Sequence, residues 1–127
     1  MKRIYTFGHE QVERNITVGD IIQNKNNNKK MTQVTAANQE EAEIIAKENI
    51  DMIITGSDWY EDVRKGAPNT FITAALFAGR FITNEEILRG AFDVMMAGAD
   101  SVLTPRSFDV VETVSYTHLT LPTILLV

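Results

Sequence analysis

One junction is written twice in this chain, and it restricts the fold more than any other feature. Asn49-Ile50-Asp51-Met52-Ile53-Ile54-Thr55 and Gly98-Ala99-Asp100-Ser101-Val102-Leu103-Thr104 each run from a helix end, through an apolar residue and an aspartate, into a strand. Asn49 and Gly98 both tolerate the left-handed backbone that stops a helix, and so short a turn feeds the chain straight into a strand. Met52-Ile53-Ile54-Thr55, closed by Gly56, is continuously apolar, as parallel strands covered on both faces are. Repeated strand–helix units of this kind leave two architectures, an open doubly wound sheet or a (β/α) barrel. No G-x-G-x-x-G and no phosphate loop follows any strand, which weighs against the nucleotide-binding open sheet.

The remaining elements follow from local chemistry. Residues 1–16 have no clean period and read as an extension or a loose first strand over Ile4 to Phe7. Thr17 and Asp20 start a helix running from Val18 to about Lys25, with Val18, Ile21 and Ile22 on one side. The following run of asparagines and lysines reads as a solvated loop; a phosphate or nucleic-acid patch is the alternative. Met31 to Ala36 reads as a buried strand. Asn38 caps a helix, with Glu41 reaching back and Ala42, Ile45, Ala46 and Ile50 on its apolar side. Ser57 to Asn69 reads as a loop with about one helical turn, and Thr70 to Phe77 as a strand. Thr83-Asn84-Glu85-Glu86 is a capping box for a helix whose stripe of Ile87, Leu88, Ala91, Phe92 and Met95 belongs in the core. Gly98 ends that helix, and Pro105 ends the strand after it.

Composition narrows the class. With 17 acidic against 12 basic residues the net charge is −5, which disfavours a general nucleic-acid-binding surface. The chain has no cysteine, so disulfides, thiol catalysis and thiolate metal sites are excluded within it. No apolar run reaches membrane-spanning length and no apolar signal core follows Met1-Lys2-Arg3, so the expected location is the cytoplasm.

The last residues break this pattern. All 12 basic and 17 acidic residues lie before Val114, where Phe108-Asp109-Val110-Val111-Glu112 had promised a helix. Val114-Ser115-Tyr116-Thr117-His118-Leu119-Thr120-Leu121-Pro122-Thr123 is the translation of GTC TCT TAT ACA CAT CTG ACG CTG CCG ACG. That string resembles the transposon adapter used in preparing sequencing libraries. Residues 114–127 are therefore expected to be a non-native tail, an apolar C-terminal strand being the alternative. Residues 1–16 are then an N-terminal extension and 17–113 a partial barrel domain.

Four segments, Ile16 to Ile21, Lys30 to Ala36, Ala42 to Gly56 and Gly90 to Val102, carry a resemblance to a known family. Their layout is similar to the N-terminal part of the ketopantoate hydroxymethyltransferase (3-methyl-2-oxobutanoate hydroxymethyltransferase) family. That family belongs to the phosphoenolpyruvate mutase and isocitrate lyase superfamily of barrels. The resemblance implies an α/β fold, the N-terminal half of a (β/α)8 TIM barrel of about four parallel strands, truncated from a barrel of roughly 250 residues. It also implies hydroxymethyl transfer from methylenetetrahydrofolate to an α-keto acid, with Mg2+ stabilising the enolate, in pantothenate biosynthesis. The parent protein is expected to be a homo-oligomer. The family pattern at the end of strand two is G-D-S, and the order here is Gly56-Ser57-Asp58. The family's other metal-associated carboxylates would fall near Ala75 and Pro105, where this chain has none.

Barrels place chemistry at the C-terminal ends of their strands. There Asp58 is the candidate for a metal or proton role, with a loop carboxylate as the alternative. Ser57 is a candidate to hydrogen-bond a substrate carboxylate, and Arg106 to hold it bidentately. Trp59 and Tyr60 read as a pocket wall or as a cover. The family's catalytic base would lie after residue 113. Three functions stay open: the transferase itself, a divergent relative acting on another small carboxylic acid without the usual metal site, or a non-catalytic barrel that binds or scaffolds.

Overall fold

The structure is a computed structural model and describes residues 1–77 and 79–105. Arg106 and the uncharged tail lie outside the described residues. The chain opens with an antiparallel hairpin, β1 (Lys2–Tyr5) and β2 (Gln11–Arg14), where a loose extension was expected. Helix α1 (Val18–Asn26) follows, then β3 (Gln33–Thr35), α2 (Gln39–Lys47), β4 (Met52–Gly56), α3 (Tyr60–Gly66), β5 (Phe71–Ala75), α4 (Asn84–Met96) and β6 (Ser101–Leu103). Strands β3, β4, β5 and β6 form one parallel sheet in chain order. This is a mixed α/β architecture, compatible with half of a (β/α) barrel.

The helix starts are those their side chains dictate. Thr17 accepts from Asp20 N–H while the Asp20 carboxylate accepts from Thr17 N–H, and Thr83 and Glu86 repeat that box at α4. Asn38 accepts from Glu41 N–H, and Glu41 reaches back past the cap to Ala37 N–H at 2.8 Å. Gly98, at φ +108°, takes the left-handed turn expected after α4.

Register sorts the sheet into two faces. Ile53, Ile72, Ala74 and Val102 share the face on which Ala42, Ile45, Val63, Ile87, Ala91 and Met95 pack. On the opposite face Thr73 and Ser101 stand in register with their hydroxyls hydrogen-bonded. Three expectations need correcting. Strand β3 is exposed along its length, because among the described residues it lies at the sheet edge and borders only β4. Ser57 to Asn69 holds a helix of seven residues, since Tyr60 and Val63 find the core. The α4 stripe is only partly core: Ile87, Ala91 and Met95 are buried, whereas Phe92 stays 46% exposed, edge-on to Phe7 of the hairpin turn. Ala46 and Ile22 are likewise exposed.

Candidate functional site

The β4–α3 and β5–α4 connections meet at the C-terminal end of the sheet. Ser57 N–H donates to Ala75 O at 2.9 Å, continuing the ladder past β4. Gly56 lets the Phe77 ring lie close: a Cβ on it would stand 2.6 Å from that ring, which would have to move aside. Trp59 meets Phe77 edge-on with centroids 5.9 Å apart, and both rings remain partly exposed. Phe77 O then accepts from the Arg80 and Phe81 amides, turning the chain toward α4. Phe81 seats on α4 at Gly90, where a Cβ would come within 2.4 Å of the ring.

Between these connections and α4 lies an open cleft of about 360 Å3. Ser57 and Asp58 line one side, Arg80 and Phe81 the end, and Glu86, Arg89 and Asp93 of α4 the other. Asp58 forms an ion pair with Arg80. Both side chains are about half exposed, so the pair is worth on the order of 0–1 kcal/mol and opens readily. The Arg80 guanidinium also lies 5.6 Å from the centroid of the Phe81 ring. Glu86 is held ionised: the Thr83 amide and hydroxyl donate to it and keep its carboxyl below the usual range. Among the described residues the buried Ser57 hydroxyl oxygen has no hydrogen-bond partner, at odds with the near-universal pairing of buried polar atoms. The Thr55 hydroxyl, two residues earlier, is in the same condition.

Ser57 and Asp58 both line this cleft. Arg106 lies outside the described residues. Arg80 and Arg89 were not singled out in the sequence; Arg80 is 22 residues from its partner and its own segment carries no motif. A divalent metal fits this donor set poorly. The register row Gly56, Ala75 and Leu103 at the strand ends carries no oxygen side chain to join Asp58. Among the described residues no group of three or more His, Asp or Glu could hold a metal ion, whereas hard cations take six or more oxygen ligands. Tyr60 is not an open pocket wall. It is buried in the core, where its hydroxyl accepts from Arg64 Nε at 2.9 Å, and burial raises its phenol above the ordinary value.

The strongest electrostatic cluster lies at the other end of the sheet. Asp100 receives Arg14 Nε at 2.8 Å, Arg64 Nη2 at 2.9 Å and Ile72 N–H at 3.0 Å. Arg14 is 2% exposed and also donates to Gly98 O and Pro68 O. Asn15 adds bonds to Asp51 O and from Phe71 N–H, so the hairpin is fastened to the N-terminal ends of β4, β5 and β6. A cavity of about 200 Å3 lies beside it, lined by Ile4, Ile16, Val18, Phe71 and Asp100. The repeated aspartate was the available signal: Asp51 accepts from Thr32 N–H as Asp100 accepts from Ile72 N–H, each tying a strand start to its neighbour.

No helix among the described residues is long and apolar enough to cross a membrane. No family model and no curated protein matches the chain.

Proposed function

We propose that this chain is part of a barrel-type enzyme that binds a small carboxylic acid in the cleft beside Ser57. In this reading it is a divergent relative of the ketopantoate hydroxymethyltransferases, acting in C–C bond formation or cleavage without their usual metal site. The observation that carries it is the Asp58–Arg80 pair: it sets a guanidinium in the cleft at strand ends whose register row offers a metal no second carboxylate. A guanidinium at that place offers two parallel donors to a substrate carboxylate. It also supplies positive charge where an enolate would develop, the task a metal otherwise performs. The parallel strand order supports the barrel, and the position of the cleft at the C-terminal strand ends supports a substrate site there.

Calorimetric titration of the chain with ketoisovalerate, with and without magnesium, tests this reading. The expected result is millimolar binding that magnesium leaves unchanged and that Arg80→Ala weakens. Binding that requires magnesium restores the metal-dependent transferase. Absence of heat under both conditions removes the carboxylate reading and leaves a non-catalytic barrel.

A further inference from the structure

The mouth of the cleft is bridged by the chain itself. Asp58 belongs to the β4–α3 connection and Arg80 to the β5–α4 connection, and Arg80 Nη1 donates to the Asp58 carboxylate across the gap between them. The backbone fixes the Asp58 end. Ser57 N–H donates to Ala75 O at 2.9 Å and Trp59 N–H to Gly56 O at 3.0 Å, so the amides on either side of Asp58 are both bonded. The Arg80 end is less fixed. Its side chain is 61% exposed, and its guanidinium lies 5.6 Å from the centroid of the Phe81 ring. That ring sits against Gly90 of α4 and offers the cation a resting place that does not depend on Asp58. A carboxylate from solution presents to the guanidinium the same pair of oxygens that Asp58 does.

We infer that Asp58 is an internal competitor of the ligand: it engages the Arg80 guanidinium until a ligand carboxylate displaces it, and so sets the affinity of the cleft. The inference rests on the small-carboxylate reading above and adds its regulation. Asp58 acts through Arg80 rather than on the ligand. An exposed ion pair of this kind holds the affinity of a ligand down by up to about 5-fold. Glu86, Arg89 and Asp93 line the α4 wall whether Arg80 faces Asp58 or a ligand. They contribute to the absolute affinity and leave the exchange at Arg80 as it is.

Calorimetric titration of the wild type and two variants with ketoisovalerate separates a competitor from a support. Asp58→Asn removes the rival charge and is expected to tighten binding about 3-fold. A residue that merely held Arg80 in place would do the opposite, because its loss releases the guanidinium from the binding position. Asp93→Asn removes an equal charge from the opposite wall and leaves the Asp58–Arg80 pair intact. At about 0.15 M salt, which screens distant exposed charges more than charges in contact, it is expected to change the affinity by less than about 1.5-fold. Both positions are exposed, and circular dichroism of each variant verifies the fold. Binding that is unchanged or weaker in Asp58→Asn overturns the competitor and leaves the carboxylate reading standing. Equal tightening by Asp93→Asn also overturns it, since net charge alone then accounts for the gain. Absence of binding by all three chains overturns both.

Discussion

At the level of single residues, the two junction aspartates show how burial decides worth. Asp51 and Asp100 do the same local job, accepting a backbone N–H from the neighbouring strand start. Asp100 in addition neutralises Arg14 and Arg64, and its side chain is 6% exposed. Removing it strands buried guanidinium groups in a medium that cannot hydrate them. Asp100→Ala is therefore expected to cost about 3–5 kcal/mol in urea denaturation, and Asp51→Ala, on the solvated rim, about 1 kcal/mol. The capping carboxylate Asp20 sets a pH dependence. The Lys2 ammonium beside it, helped by the Thr17 amide, holds its pKa below the ordinary value. A lowered folded pKa means that the stabilisation is present above the unfolded pKa and is lost as pH falls through the folded one. Melting temperatures followed from about pH 5 to about pH 2.5 should therefore fall more steeply for the wild type than for Asp20→Asn. Equal slopes would remove the assignment.

At the level of elements, what is local in the chain was readable and what depends on neighbours was not. Thr17, Asn38 and Thr83 each bond a backbone three residues on, so their positions follow from sequence spacing. Which side of α4 is covered does not: Phe92 has the spacing of a core residue, yet the next layer leaves it at the surface. Only about one turn was expected where helix α3 runs for seven residues, because its N-terminus has no capping side chain and its residues are polar apart from Tyr60 and Val63. Its position depends on α2, which approaches it at Gly66, where a Cβ would stand 2.3 Å from Gln39 O. Gly66→Ala must push the two helices apart and is expected to destabilise the chain by about 1–3 kcal/mol, the cost of overpacking against backbone. Thr83→Ala, which only removes the α4 cap, is expected to cost about 1 kcal/mol in the same denaturation series.

At the level of the whole molecule, the sheet has an open edge among the described residues. There strand β3 borders only β4, all three of its residues are exposed, and Val34 is 37% accessible. Its outward N–H and C=O groups are a template for another strand, and nothing charged lies within the strand to discourage pairing. The chain is expected to associate as its concentration rises and to melt over a broad range, and Val34→Lys to reduce the association. A wild-type chain that is monomeric by light scattering and melts sharply contradicts this.

The sequence by itself determined the alternation of strand and helix, the helix caps and the repeated aspartate junction. Each of these is a relation between residues a few positions apart, which backbone geometry and one hydrogen bond enforce wherever the segment sits. That Ser57 and Asp58 border the same cleft is a local relation of the same kind. The tertiary structure alone decided which charges meet. It gave Asp58 to Arg80 across 22 residues and Asp100 to Arg14 across 86. Long-range pairing depends on how helices pack over a twisted sheet, and no local spacing encodes it.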